Sequence, residues 1–350
     1  MIKKIMLFFG LPLAMGLCVL CIGFFTWRVQ IQQEQFRQYD SRFNPGSFHH
    51  DIWSINGLDQ HVLSVVRRSE NPFLLIVHGG PGFAYPGVGA PEGFDFLLDT
   101  FNLVFWDQRY SGLSFMDERF EDLSKRTLTE DLIQMVASIH KTFKTGSVHV
   151  LSHSWGSQIV LDALLKEPDL FDSIVLTNPV LDFDQSIKES ITFLKEESER
   201  RGIPSEMSEV SVLGETISQY HDLSVYGKWI NGYGFQFSPL SKLKNIYLKK
   251  ELLKSPFYSF SDYINVFKTQ RLGGVMSVTE SQSFDGRYFK VLSKPLYVLL
   301  GKEDRFIPSL TTVEKWGLKF DHINRSGHWS FVENKVEFEG FVRQFYESIG

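Results

Sequence analysis

The most informative pattern in the sequence is a series of short, uninterrupted apolar runs, each followed by glycine, proline or polar residues. Such runs are typical of strands buried on both faces of a parallel sheet. Segments with helical spacing follow several of them, and this alternation predicts a mostly parallel sheet flanked by crossover helices, an α/β fold. The predicted strands lie at 73–77, 101–106, 148–151, 171–177, 295–301 and 319–324, and the predicted helices at 128–143, 159–166 and 331–349.

Two stretches depart from this pattern. Residues 48–55 and 61–67 alternate apolar and polar positions around the turn Asn56-Gly57, which predicts an antiparallel hairpin at the sheet edge. From 181 to 290 the apolar runs stop, and charged amphipathic segments such as 187–201 and 205–220 predict helices instead. Because the strand pattern resumes afterwards, we interpret 181–290 as a helical cap inserted into the sheet domain.

The N-terminal segment is apolar over a length that suits a membrane. No charged side chain lies between Ile5 and Trp27, and a helix of that length would extend roughly 34 Å, enough to cross a bilayer core. Lys3 and Lys4 favour a cytoplasmic N-terminus, which would put the bulk of the chain on the non-cytoplasmic side. A cleaved signal peptide is the alternative, but no good small-x-small cleavage site follows the apolar run. We therefore expect a retained, single-pass transmembrane helix.

Composition changes this picture little. The chain has 350 residues, of which 43% are hydrophobic, enough for one α/β domain with an insertion, and its net charge of −5 gives no reason to expect nucleic acid as a partner. Both cysteines, Cys18 and Cys21, lie in the apolar segment, so the rest of the chain offers no disulfide and no thiol nucleophile. The predicted segments are a membrane anchor at 1–28, a juxtamembrane stem at 29–46, a first core part at 47–180, the cap at 181–290 and a second core part at 291–350.

One buried run leads into a sharp turn made of small residues. The run 148–151 is followed by Ser152-His153-Ser154-Trp155-Gly156 and then by a helical pattern that extends to Lys166. A serine at the tip of a strand–turn–helix is lifted above the sheet with its hydroxyl exposed, the arrangement usually written G-x-S-x-G. Ser152 stands where the first glycine is expected and is small enough to be tolerated. The pattern predicts Ser154 as a nucleophile.

Such a serine needs a base within hydrogen-bond reach, and the base needs an orienting carboxylate. Asp304 follows the predicted strand 295–301, and His328 follows the last one. This order of serine, acid and histidine, each just past a strand, predicts a catalytic triad of Ser154, Asp304 and His328. Glu303 is the alternative acid.

The tetrahedral oxyanion formed by such a serine needs two N–H donors. One should be Trp155, which follows the nucleophile, and the other should come from the glycines after the strand 73–77. We choose Gly80, with Gly79 as the alternative. In the neighbouring loop we expect an ion pair between Asp107 and Arg109. This chemistry requires neither a metal nor an organic cofactor.

Four motifs form a recognisable set: His78-Gly79-Gly80-Pro81-Gly82, Trp106-Asp107-Gln108-Arg109 with Gly112 and Ser114, His153-Ser154-Trp155-Gly156, and Gly327-His328. The set resembles the proline iminopeptidase branch of the α/β-hydrolase superfamily, over roughly 53–345, although the cap matches only in position and type. The resemblance implies an α/β-hydrolase fold with a canopy of helices. It also implies release of an N-terminal residue, often proline, from peptides, and it implies the same triad and oxyanion donors.

The sequence departs from that branch at three places. Ser152 and Tyr110 replace glycines. In the cap, the family has a Trp-x-x-Trp-Glu element whose glutamate binds the free amine of the substrate, and Trp229-Ile230-Asn231 lacks this glutamate. Without the carboxylate, a site of this kind loses much of its preference for peptide N-termini. We keep Trp229 and Tyr233, in the aromatic stretch of the cap, as substrate-binding candidates.

The predicted function is therefore a membrane-anchored serine hydrolase that forms an acyl-enzyme on a small peptide or ester substrate. One alternative is a carboxylesterase or lipase-like enzyme acting on apolar esters near the bilayer, which the aromatic cap and the anchor favour. A non-catalytic binding module of the same fold is the other alternative. The intact order of the triad argues against it, because each member is needed for catalysis.

Overall fold

The computed structural model describes residues 15, 16, 18–34, 37, 47–84, 93–115, 122–213, 224–236, 238, 239 and 280–349, and within the cap also 255, 257–259, 261, 262, 264–266, 268 and 269. Within these residues, eight strands form one sheet in the order β1-β2-β4-β3-β5-β6-β7-β8. β2 pairs antiparallel with β1 and β4, and all other neighbours are parallel. The strands are β1 Phe48–Ile55, β2 Leu58–Val65, β3 Phe73–Val77, β4 Asn102–Trp106, β5 Val148–His153, β6 Ile174–Thr177, β7 Leu296–Gly301 and β8 Phe320–Ile323.

Helices connect the parallel strands and cover both faces of the sheet, so the predicted α/β fold is confirmed. The last predicted helix is divided in two at Asn334. The predicted helix 205–220 is helical over Pro204–Ser211, and its part from 214 onward lies outside the described residues. Short 3-10 turns lie at Asp95–Leu97 and Gly112–Ser114. The helices are α1 Lys125–Phe143, α2 Gly156–Lys166, α3 Phe183–Arg201, α4 Pro204–Ser211, α5 Ser224–Tyr233, α6 Gly286–Val291, α7 Leu310–Trp316, α8 Ser330–Glu333 and α9 Lys335–Ile349.

The uninterrupted apolar runs arise because the central strands are buried on both faces. Along β3, Phe73, Leu75 and Val77 join the core formed with α1 and α2, whereas Leu74 and Ile76 join the core formed with α9. Successive side chains of a strand point to opposite faces, so both sets must be apolar.

The edge hairpin and the first crossover helix are determined by local signals. The turn between β1 and β2 places Asn56 at φ 47° and Gly57 at φ 76°, the left-handed conformations that an Asn-Gly hairpin turn requires. α1 begins three residues before the predicted start because of a capping box: the Ser124 side chain accepts from the Thr127 N–H, and the Ser124 N–H donates to the Thr127 side chain.

The N-terminal helix, defined here as residues 18–34, is exposed along its apolar part, and Leu20 for example is 72% exposed. Among the described residues we find no helix with both the length and the apolar character needed to span a bilayer. Most of the predicted anchor before Cys18 lies outside the described residues.

Candidate active site

The turn between β5 and α2 holds Ser154 in an unusual backbone conformation. Its φ is 55°, in the left-handed region that residues other than glycine rarely adopt without a surrounding structure that enforces it. Here the Ser154 N–H donates to the Thr177 carbonyl at 3.0 Å, and the Ser154 carbonyl accepts a hydrogen bond from the Ser157 hydroxyl at 2.7 Å. A Cβ at Gly156 would lie 2.7 Å from the His78 carbonyl, so this position needs glycine. Ser152, which replaces the other glycine, is fully buried in β5.

The structure brings the three predicted triad residues together. His328 Nε2 lies 2.9 Å from Ser154 Oγ, and His328 Nδ1 lies 2.8 Å from Asp304 Oδ2. All three side chains are nearly buried, with residue exposures of 7% for Ser154, 9% for Asp304 and 1% for His328. Glu303, the alternative acid, accepts a hydrogen bond from Ser238 Oγ in the cap instead. The one-residue difference along the chain therefore turns the two carboxylates toward different partners.

Asp304 is held by more than its histidine. Its Oδ1 accepts the N–H groups of Phe306 and Ile307, and its Oδ2 also accepts the Asn178 side-chain amide at 3.0 Å. The Asn178 oxygen accepts in turn from Ser330 Oγ at 2.6 Å, which fixes the direction of the amide. Sequence reasoning missed Asn178. Asn178 follows β6 directly, at the same sheet edge as the other site residues. This position could have indicated from the sequence that Asn178 belongs to the site.

The glycine loop after β3 lies directly against Ser154. An ideal Cβ on Gly79 would be 2.7 Å from the Ser154 Cβ, so any side chain at position 79 would displace the serine. Gly80 follows at φ 116°, which strongly favours glycine. Among the described residues, neither the Gly80 nor the Trp155 N–H donates a hydrogen bond. Both predicted donors are therefore available for an oxyanion.

Two buried histidines next to the site serve to position other groups. Burial lowers the pKa of His78 to about 4, and burial, with His328 nearby, lowers the pKa of His153 well below its usual value. Neutral His78 has Nδ1 2.9 Å from the Gly79 carbonyl while its Nε2 accepts the Gln108 N–H. His153 Nε2 lies 2.8 Å from the His328 carbonyl. Neither ring is placed to act as the base for Ser154.

The expected ion pair between Asp107 and Arg109 is wrong. Arg109 instead makes a bidentate pair with Asp131 of α1, with both distances at 2.8 Å, and also contacts Asp122. Asp107 is fully buried and accepts hydrogen bonds from the Tyr258 hydroxyl and the Leu113 N–H. Burial raises the pKa of Asp107 to about 7.

The two cap residues predicted to bind substrate lie within the cap. Trp229 is 8% exposed and packs on the Tyr233 ring, and the Tyr233 hydroxyl donates to Glu206 at 2.7 Å. No contact among the described residues joins either side chain to the triad. Gln236, just past α5, makes that connection, because its carbonyl accepts the His328 N–H at 2.9 Å.

A parallel sheet with a strand–turn–helix serine, a histidine and a carboxylate at its carboxyl edge defines a hydrolase site of the α/β class. Residues 72–335 match the α/β-hydrolase fold family, and the chain belongs to it. The protein is therefore a hydrolase with this fold, as the sequence predicted.

Known relatives are similar to different extents. The chain is 34% identical over 119 residues to the probable aminopeptidase YbaC of Bacillus subtilis (strain 168), and this match spans 33% of the chain and 34% of that relative. The proline iminopeptidase-related protein TTHA1809 from Thermus thermophilus superposes with a TM-score of 0.59 at 18% identity, covering 86% of this chain and 98% of that one. A structure of a membrane phospholipase A gives a TM-score of 0.58 at 17% identity and covers 99% of both chains. At these identities the two structures establish the fold alone.

Proposed function

We propose that the protein is a serine hydrolase that uses Ser154, His328 and Asp304 to form an acyl-enzyme. The observation that carries this proposal is the continuous hydrogen-bonded series from Ser154 Oγ through His328 to Asp304, with distances of 2.9 and 2.8 Å. Both distances lie within the range expected for a base acting on its nucleophile and for an acid orienting its base.

The geometry supports a specific role for each residue in this proposal. His328 Nε2 takes the Ser154 proton as Oγ attacks the substrate carbonyl, and Asp304 orients the ring and stabilises the imidazolium that forms. The Gly80 and Trp155 N–H groups stabilise the oxyanion. Collapse of the tetrahedral intermediate transfers the proton to the leaving group and leaves the acyl group on Ser154, and water, activated by His328, then releases the acid.

Labelling with a fluorophosphonate probe tests this mechanism. The wild-type protein should be labelled, and Ser154→Ala should not be, while circular dichroism shows that both are folded. A folded wild-type protein that takes no label would refute the proposal. Ser152→Ala is a matched control, because Ser152 is buried in β5, two residues before Ser154, and is not hydrogen-bonded to His328 among the described residues.

The substrate that best fits the motif set is the N-terminal residue of a peptide, and the partial match to a probable aminopeptidase supports this choice. The second candidate is an apolar ester. The exposed apolar N-terminal helix favours it. Comparing the turnover of proline amides with that of p-nitrophenyl esters separates the two candidates. If all proline amides are turned over equally slowly, that result would count against peptidase activity.

We further propose that the N-terminal segment anchors the protein in a membrane with the hydrolase domain on the non-cytoplasmic side. The uncharged segment from Ile5 to Trp27 supports this, and so do the exposed apolar side chains of the N-terminal helix. Membrane fractionation, with sequencing of the mature N-terminus, tests it. Recovery of a shortened protein in the soluble fraction would show that the segment is a cleaved signal.

A further inference from the structure

The N-terminal helix contacts the hydrolase domain at one face. Its residues are exposed as far as Trp27, and Arg28 is the first buried one, with 4% exposure. The Arg28 guanidinium donates to the Tyr258 carbonyl, and Gln32 Nε2 donates to the same carbonyl at 2.8 Å and to the Ser255 carbonyl at 3.0 Å. Residues four apart lie on the same side of a helix, so both side chains reach one short stretch of the cap.

Tyr258 carries this contact into the core. Its side chain is fully buried against Ala84, and its hydroxyl donates to Asp107 Oδ2 at 2.7 Å. The space is closed on the other side by Gly112. A Cβ there would lie 2.2 Å from the Tyr258 hydroxyl and 2.3 Å from Asp107 Oδ2. Tyr258 thus packs between the loops that follow β3 and β4.

The residue after Asp107 holds the oxyanion loop. The Gln108 side-chain amide donates to the His78 carbonyl at 2.8 Å, and the Gln108 N–H donates to His78 Nε2 at 3.2 Å. His78 in turn bonds the Gly79 carbonyl, and Gly79 lies against Ser154. The Tyr258–Asp107 and Gln108–His78 hydrogen bonds are linked by the peptide bond between Asp107 and Gln108, and together they join the helix contact at Tyr258 to the backbone that carries the Gly80 N–H.

We propose that Tyr258 is a positioning residue through which the N-terminal helix fixes the oxyanion loop. The helix is then part of the working hydrolase domain in addition to being a tether. The inference rests on the serine-hydrolase function proposed above. Because the oxyanion exists only in the transition state, a displaced Gly80 N–H lowers kcat and leaves KM nearly unchanged.

Tyr258→Phe tests the first half of this inference, because it removes one hydroxyl and keeps the ring. Loss of a whole oxyanion donor costs about 100- to 1,000-fold in kcat, and a displaced donor should cost less, so we expect a fall of about 10-fold. KM for a p-nitrophenyl ester should change less than about two-fold. Tyr297→Phe is the matched control, because Tyr297 also donates to a carboxylate, Asp321, and both residues lie near the beginning of their strands, away from the carboxyl edge that carries the site. Its kcat should match that of the wild type.

The double variant Arg28→Ala/Gln32→Ala tests the second half, in the full-length protein in detergent micelles. It should lower kcat as Tyr258→Phe does, and combining all three changes should lower it little further, because the groups act in series. Gln30→Ala/Gln33→Ala, on exposed positions of the same helix, should have no effect. Rates are taken per active site, counted by fluorophosphonate titration, so misfolded protein does not contribute.

Two results would overturn the inference: wild-type kcat in Tyr258→Phe, or multiplicative losses when the helix and tyrosine variants are combined. These differ from failure of the proposed function, in which the wild-type protein takes no label at all.

Discussion

Asp107 gives the sharpest test of how burial controls charge in this protein. The carboxyl group is fully buried, its Oδ1 has no hydrogen-bond partner among the described residues, and Arg109 is paired elsewhere. His61 Nδ1 lies 3.6 Å from Oδ2, but burial lowers the pKa of His61 to about 3, so the ring is neutral and supplies no cation. The pKa of Asp107 is therefore raised, to about 7, because burial disfavours the charged carboxylate.

The consequence is a stability that falls as the pH rises. Between the ordinary pKa of 3.8 and about 7, the unfolded chain has released the Asp107 proton while the folded protein retains it. The unfolded state thus binds fewer protons over this range, so the free energy of unfolding decreases with increasing pH. Each pH unit inside the range contributes about 1.4 kcal/mol. From pH 5 to pH 7 and above, the loss due to this one group is about 3 kcal/mol.

Asp107→Asn removes the titration and keeps a side-chain oxygen to accept from Tyr258 and Leu113. We expect the stability of the variant relative to the wild type to improve by about 3 kcal/mol between pH 5 and pH 8. The contributions of the buried histidines are common to both proteins and cancel in this comparison. Urea unfolding followed by circular dichroism at the two pH values measures the difference.

Asp169→Asn provides the matched control, because the Asp169 side chain is 87% exposed. Its stability relative to the wild type should change little between the same two pH values. The reasoning about Asp107 is refuted if the difference between wild type and Asp107→Asn is also independent of pH.

Three further predictions concern positions fixed by close contacts. Asn178→Gly suits the positive φ of 43° and removes one of the hydrogen bonds to Asp304, so kcat/KM for a p-nitrophenyl ester should fall about 10-fold in a protein that folds normally by circular dichroism. Gly301→Ala should abolish most turnover and labelling, because its Cβ would lie 1.8 Å from the Gly327 carbonyl, next to His328; wild-type labelling would contradict this. Phe338→Ala, at a fully buried ring, should cost about 3–5 kcal/mol in urea unfolding without changing the labelling rate per folded molecule.

The sheet and the triad could be predicted from the sequence because their signals are local. A strand buried on both faces must be apolar throughout, as β3 is, and each triad residue follows its strand within a few positions. Parallel strands bring their carboxyl ends to one edge, so the order along the chain was sufficient to place Ser154, Asp304 and His328 together. The choice between Glu303 and Asp304 could not be derived from spacing alone, and the contacts of the folded chain decide it.

Partners that lie far apart in sequence could not be assigned in this way. Arg109 was paired with its near neighbour Asp107, yet it bonds Asp131 on α1, which only the packing of that helix brings close. Asn178 was missed for a similar reason: its amide is useful only because Ser330, 152 residues away, fixes its direction. From the sequence alone, an asparagine before a proline indicates a turn, because the partners of its side chain are not known.

The cap shows most clearly where local reasoning stops. Its aromatic residues suggested a substrate-binding role, but Tyr233 donates to Glu206 within the cap and Trp229 is nearly buried. Described cap residues that contact the sheet domain near the site include Gln236, whose carbonyl accepts the His328 N–H, and Tyr258, whose hydroxyl donates to Asp107. Neither forms a motif, since a single backbone carbonyl or hydroxyl leaves no periodic trace in a sequence. A residue that positions a site indirectly is therefore found through its hydrogen bonds. Substitution of Tyr258 should show whether the cap influences the site at Ser154.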